Sequence, residues 1–225
     1  MVKQISIYLD TADMLMLHKY ALDSRIKGIT TNPALMKKSG IKSYRNFATM
    51  ALGNAHGKPI SLEVLADDFK EMERQAREIA TWGDNVWVKI PVTNTFGMST
   101  VPVIRQLQGV KMNVTAVFTR EQIDALSEVE NNSMIVSVFA GRIADTGRDP
   151  EFYVKHARSK LSQSRLLWAS TREVLNVSQA ENCGCDIITL TPDLIDKLKF
   201  HGKSLAEYSL DTVKMFHEDG QGIVF

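Results

Sequence analysis

The chain has 225 residues, 44% of them apolar and 24% charged, with a formal net charge of +1. That is an ordinary globular composition, and the near-neutral balance gives no electrostatic reason to expect nucleic acid or an anionic membrane as partner. No apolar stretch approaches the roughly 20 residues a membrane helix needs, and Met1-Val2-Lys3-Gln4-Ile5 runs straight into a strand pattern with no secretory leader.

Ile5 to Leu9 alternates as a first strand and ends at Asp10-Thr11-Ala12-Asp13, where Thr11 or Asp13 caps a helix over 12–22. Residues 26–30 form a second strand ending in Thr30-Thr31-Asn32-Pro33, and Pro33 suits the first turn of the helical piece that follows. Gly40 breaks that piece, and Ser43 opens another to about Leu52. Strand three is 60–65, with Glu63 inside it, and Asp67 caps a helix over 68–81. Strand four, Val86-Trp87-Val88-Lys89-Ile90, holds one lysine in an apolar run. If Val86, Val88 and Ile90 face one way, Trp87 and Lys89 face the other. Such a lysine either snorkels to water or, kept from solvent, serves as an amine nucleophile.

Residues 95–108 read as helix with Gly109 past its end, and 111–117 as strand five, containing Asn113. Thr119 caps a helix through Leu126. Strand six, 134–139, is apolar apart from Ser137 and leads into a polar, glycine-bearing mobile loop from Gly141 to Pro150. A helix over 151–162 precedes strand seven, 165–169, which ends at Ser170-Thr171-Arg172. A helix over 172–182 carries the chain to Cys183-Gly184-Cys185, a poor disulfide spacing and too few ligands for zinc. The two cysteines read as small buried residues in a reducing compartment. Strand eight is 186–190, and a terminal helix over 205–217 precedes a tail.

Strict alternation of strand and helix means a parallel sheet. Eight units in one domain, 1–218 with its terminal helix at 204–218 and a tail at 219–225, fit an α/β fold of the closed (β/α)8, or TIM, barrel type. The competing open doubly wound sheet normally shows a glycine-rich turn after strand one, and Asp10-Thr11-Ala12-Asp13 has no glycine. In a barrel, chemistry sits at the C-terminal ends of the strands. Asp10, Thr30, Asn32, Glu63, Lys89, Asn113, Ser137, Arg142, Ser170 and Arg172 fall there, from every strand but the last. Each has a plainer role open to it: Asp10 and Ser170 as helix caps, Asn32 as a turn residue, the arginines as surface charge. Glu63 is harder to dismiss, since buried carboxylates are rare without a partner. Together they form a set suited to imine chemistry on a phosphorylated sugar.

The stretches Leu9-Asp10-Thr11-Ala12, Gly28-Ile29-Thr30-Thr31-Asn32-Pro33, Val88-Lys89-Ile90-Pro91-Val92-Thr93, Gly141-Arg142-Ile143 and Ala169-Ser170 resemble the transaldolase family, most closely its short members, which include fructose-6-phosphate aldolases. The similarity spans roughly residues 5–218. It implies a class I mechanism with no metal and no cofactor. Lys89 matches the Schiff-base lysine, Asp10 the acid–base carboxylate of C–C cleavage, and Glu63 the carboxylate that works through water on the imine. Asn32 and Asn113 match residues that hold the dihydroxyacetone unit, and Thr30, Ser137 and Phe139 fall among the residues lining the site. Arg142, Ser170 and Arg172 match the phosphate-binding group.

The resemblance implies transfer of dihydroxyacetone from fructose 6-phosphate or sedoheptulose 7-phosphate to an aldose phosphate. The aldolases tend to carry Gln, Thr and Tyr where this chain has Glu63, Asn113 and Phe139, and all three residues side with transaldolase. The alternatives are an aldolase releasing free dihydroxyacetone and a non-catalytic barrel that binds sugar phosphates. Trp87, the Arg148-Asp149 loop and the Phe96-Gly97-Met98-Ser99 stretch depart from the family pattern. The resemblance further implies a cytoplasmic homo-oligomer, a ring-shaped pentamer or decamer. Leu205, Tyr208, Leu210, Val213 and Phe216 give the terminal helix apolar positions for such a contact or for covering its own barrel.

Overall fold

The computed structural model describes residues 5–224. The strand entry at Met1–Gln4 and the last tail residue, Phe225, lie outside the described residues. Eight parallel strands close on themselves: β1 (Ser6–Asp10), β2 (Ile26–Thr30), β3 (Ile60–Glu63), β4 (Val86–Pro91), β5 (Met112–Val117), β6 (Met134–Val138), β7 (Arg165–Trp168) and β8 (Ile187–Leu190). Closure is made by β1 with β8, from Ser6 opposite Ile187 to Leu9 opposite Leu190. This is a (β/α)8 barrel, and the pairing of β1 on both sides removes the open-sheet alternative.

Around the strands run α1 (Met14–Ala21), α2 (Pro33–Lys38), α3 (Tyr44–Asn54), α4 (Phe69–Ala80), α5 (Val101–Gln106), α6 (Arg120–Ser127), α7 (Ala140–Ala144), α8 (Pro150–Lys160), α9 (Leu175–Asn182), α10 (Pro192–Lys197) and α11 (Leu205–Asp219). Their starts follow capping chemistry. Asp13 accepts from the backbone of Leu15 and Met16, and Thr119 forms a capping box with Gln122. Asp68, not Asp67, caps α4, and Asp67 instead accepts from the backbone and hydroxyl of Thr95.

Two sequence expectations give way. Residues 95–100 are not helical. Asn94 accepts from the backbone of Phe96 and Met98, Gly97 takes φ +76°, and Thr93 bridges Ser99, so the chain makes a tight turn before α5. Pro102 in the first turn of α5 marks where a helix can begin. The stretch after β6 is likewise not a mobile loop at its start. Residues 140–144 form α7, and Gly141 is there because a Cβ would lie 1.5 Å from the carbonyl oxygen of Ser170.

The outward residues of the strands pack on the helices as the main core. Inside the barrel, Tyr8, Ile135, Leu167, Ala169 and Ile187 form a separate cluster with Trp87 and Phe139 against it. Gly28 leaves room for the Tyr8 ring, which would stand 2.4 Å from a Cβ there. Trp87 is thereby a filler of the barrel interior. Two residues further along, the same strand faces carry Asp10, Lys89, Ser137 and Thr189. The period of two thus turns an apolar plug below into a polar floor above.

Candidate active site

Lys89 sits at the centre of that floor, with 5% of its surface exposed. Its Nζ donates to the backbone carbonyl of Thr31 at 2.6 Å and stands 3.1 Å from Glu63 Oε2. Register produces this pairing, because Glu63 on β3 lies opposite Lys89, and Lys89 lies opposite Asn113 on β5. A buried amine with a carboxylate in contact has an acceptor for its proton and a charge that compensates its own.

Asn113 is fully buried and held from both sides. Its Nδ2 donates to Ser61 Oγ at 3.1 Å, and its Oδ1 accepts from Ser137 Oγ at 2.6 Å. Asn32 caps α2 by accepting from the backbone of Leu35 at 3.0 Å, and among the described residues its Nδ2 donors are uncommitted. The plain turn role and a role in the site are therefore compatible.

Asp10 accepts from Thr30 Oγ1 at 2.7 Å, and Thr30 Oγ1 stands 2.5 Å from Thr189 Oγ1. Burial pushes the Asp10 carboxyl above its ordinary value, with the Lys89 charge and the Thr30 hydrogen bond opposing and the Glu63 charge adding to the rise. A hydroxyl gives one proton and accepts two, so the chain has a fixed sense while Asp10 is ionised: Thr189 donates to Thr30, and Thr30 to Asp10. When Asp10 is protonated the sense can reverse, ending on the Tyr8 carbonyl, 3.5 Å from Thr189 Oγ1. Both protonation states of Asp10 are thus served by one set of side chains.

These groups line a cavity of about 300 Å³ at the C-terminal mouth, together with Phe139, Arg142, Ser170 and Arg172. Arg172 donates from Nε to Asp145 at 3.2 Å, and a second bond from the same guanidinium completes the pair. The Arg142 guanidinium lies over the Phe139 ring, 5.2 Å from its centroid. Ser170 is not the cap of α9, whose first residue is Leu175. It takes φ +60°, a conformation costly for a residue with a Cβ. Gly141, with no Cβ, leaves room for the Ser170 carbonyl in that conformation. Any side chain at Gly141 would push α7, and Arg142 with it, off this corner.

Glu63 does not line this cavity. It faces a separate one of about 380 Å³, shared with Asn94 and Thr95. The other expected residues, Asp10, Thr30, Asn32, Lys89, Asn113, Ser137, Phe139, Arg142, Ser170 and Arg172, all line the first. The last strand is not silent, as the sequence had suggested: β8 contributes Thr189, and Thr191 follows it in the wall. Thr115 also lines the cavity, with a buried Oγ1 that has no hydrogen-bond partner among the described residues. In sequence Thr189 and Thr115 pass as ordinary β-branched strand formers, and only the face they occupy separates them from the core.

Residues 7–224 match a family model described as Transaldolase/Fructose-6-phosphate aldolase. A probable transaldolase of Methanococcus maripaludis is 33% identical over 204 residues, covering 88% of this chain and 91% of that protein. One of Maridesulfovibrio salexigens is 31% identical over 218 residues, covering 94% and 99%. Among solved structures, orotidine 5'-monophosphate decarboxylase from Metallosphaera sedula superposes with a TM-score of 0.56 at 11% identity over 95% of this chain and 98% of its own. A tryptophan synthase α-subunit from Pyrococcus furiosus gives 0.57 at 13% identity over 92% and 96%. At such identities the likeness is one of fold alone.

Proposed function

The chain belongs to the transaldolase/fructose-6-phosphate aldolase family, and from that premise we propose that it transfers a dihydroxyacetone unit between sugar phosphates through a Schiff base on Lys89. Donors are fructose 6-phosphate or sedoheptulose 7-phosphate, and acceptors erythrose 4-phosphate or glyceraldehyde 3-phosphate. The observation that carries the proposal is the buried Lys89 amine, 3.1 Å from Glu63, in a cavity that also holds Asp10.

Lys89 first gives a proton to Glu63, and its Nζ attacks the C2 carbonyl of the ketose. The carbinolamine loses water and leaves a protonated imine. Asp10 takes the proton of the C4 hydroxyl, the C3–C4 bond breaks, and the aldose phosphate departs while the bonding pair forms an enamine with the lysine nitrogen as electron sink. A new aldose carbonyl accepts the enamine carbon and the proton from Asp10. Asn32 and Asn113 hold the three-carbon unit, Thr30 and Ser137 orient Asp10 and Asn113, and Arg142, Ser170 and Arg172 take the phosphate. Glu63, lining its own cavity beside Asn94 and Thr95, handles the water of imine formation and hydrolysis away from the sugar. Phe139 packs against Phe118 at 5.6 Å and brings no hydroxyl to protonate the enamine or activate water. That supports transfer over release of free dihydroxyacetone.

Borohydride added with fructose 6-phosphate should fix an adduct on the peptide bearing Lys89. Mass mapping that finds no adduct there would falsify the mechanism. Dihydroxyacetone release should stay slow until erythrose 4-phosphate is added. Fast release without acceptor would make the enzyme an aldolase.

The domain is taken as 1–218, with 219–225 as tail. No described residue of α11 is buried, and Leu205, Tyr208, Leu210, Val213 and Phe216 stand exposed along it. An apolar helix left this bare calls for cover, and the proposal includes a homo-oligomer, a pentamer or decamer, built on that face. Light scattering should give a mass several times 25.2 kDa, and replacing Val213 and Phe216 with glutamate should lower it. A monomer in the unaltered protein would end that part of the proposal. Among the described residues no helix is long and apolar enough to cross a membrane; a cytoplasmic location belongs to the same proposal.

A further inference from the structure

Four cations line the substrate cavity, Lys38, Lys89, Arg142 and Arg172, against one carboxylate, Asp10. Three of the four have company. Lys89 is paired with Glu63, Arg172 with Asp145, and Arg142 with the Phe139 ring. Lys38 has no ion pair or hydrogen bond to its side chain among the described residues. It ends α2, the helix that follows β2. In a closed barrel of eight strands, β2 stands across from β6, and α7 with Arg142 follows β6. At about 300 Å³ the cavity is at the small end of the usual range of roughly 300–1,000 Å³. Its walls are close, and a lysine stem is long enough to bring an ammonium in from the rim.

The plainer account of Lys38 is charge at a helix C-terminus, where cations are favoured. Lys37 serves that purpose equally, being in the same last turn. It lines a different cavity, with Gly40 and Tyr44. The two neighbours therefore share the helix-end role and differ in which cavity they face.

We propose that Lys38 is a specificity-determining residue, whose ammonium contacts the substrate phosphate from the β2 wall while Arg142, Ser170 and Arg172 hold it from the opposite side. The inference rests on the sugar-phosphate function proposed above. Lys38 is the only cation of the four with no partner to give up, so its charge is fully available to an entering dianion. A lysine makes a point-charge contact of no fixed orientation. It can therefore follow the phosphate of six- and seven-carbon sugars, which end at different depths.

Two measurements on the full chain test this. Inorganic phosphate should raise the melting temperature of the unaltered protein and of Lys37→Ala, and raise that of Lys38→Ala much less. In steady-state assays with fructose 6-phosphate, Lys38→Ala should raise KM about three- to tenfold, the scale of one partly screened ionic hydrogen bond. Lys38→Glu should raise it further. Unphosphorylated fructose as donor should show no such dependence on residue 38. Equal behaviour of the Lys37 and Lys38 variants, or no phosphate effect on the unaltered protein, would overturn the proposal. If fructose 6-phosphate gives neither turnover nor an adduct on Lys89 while the phosphate shift still depends on Lys38, the transferase function fails and the anion contact stands.

Discussion

Replacing Lys89 with methionine is expected to remove turnover by a factor on the order of 10⁴ or more, the scale reached when a covalent nucleophile is deleted. It should also destabilise the fold, for a reason separate from the chemistry. Methionine approximates the stem but leaves the Thr31 carbonyl without its 2.6 Å donor and Glu63 without the cation at 3.1 Å. Removing one partner of a buried pair typically costs about 3–5 kcal/mol, because the remaining charge stays desolvated. The Glu63 side chain keeps 13% of its surface exposed, so a loss of about 2–4 kcal/mol is expected here. The double variant Lys89→Met, Glu63→Gln should recover most of that stability and none of the activity. Denaturant unfolding of the two single variants and the double one closes the cycle. Measurable turnover in Lys89→Met, or adducts on another lysine, would remove Lys89 from the centre of the mechanism.

The barrel was legible because alternation of strand and helix is written at short range. Val86 to Pro91 can be recognised from six residues and Met134 to Val138 from five, and eight such runs leave few topologies. Most of the cavity lining that makes up the candidate site was legible for the same reason: polar residues inside or just past apolar strands are few, and a barrel sends them to one mouth. Three things were not visible in that way. The turn at 93–99 depends on the Asn94 side chain and on Asp67, which lies 28 residues away from Thr95. The α7 corner depends on how close Gly141 comes to Ser170, a contact between segments that only the closed barrel brings together. Thr189 and Thr115 were hidden by their own propensity, since threonine belongs in a strand whether or not its hydroxyl is used. Asn32 shows the converse: a turn role beside Pro33 is local and readable, and the cap that the residue makes on Leu35 fixes its amide at the cavity.

Replacing Asp10 with asparagine should produce opposite effects on rate and stability. The asparagine Oδ1 can still accept from Thr30, so the geometry of the floor is kept. In the proposed mechanism the base is then gone, and turnover should fall by about 10²–10⁴, the usual contribution of a positioned acid–base group. Stability should rise. Burial lifts the Asp10 carboxyl above the ordinary 3.8 in the folded chain, so the folded state holds its proton more tightly than the unfolded state does. Stability from this group is therefore greatest at acid pH and is lost as pH climbs from 3.8 through the raised folded value. The variant has nothing to ionise and avoids that loss. Its melting temperature should match that of the unaltered protein at the acid end, pull ahead as pH rises past 3.8, and then hold a constant lead. Each kcal/mol regained corresponds to roughly 2–4 °C for a chain of this size. The pH dependence of kcat/KM in the unaltered protein should show its acid limb above 3.8 as well, because the proposed mechanism needs Asp10 ionised to take the hydroxyl proton. An asparagine variant less stable than the parent at neutral pH would mean that the ionised carboxylate is held favourably, and that burial is not what governs this group.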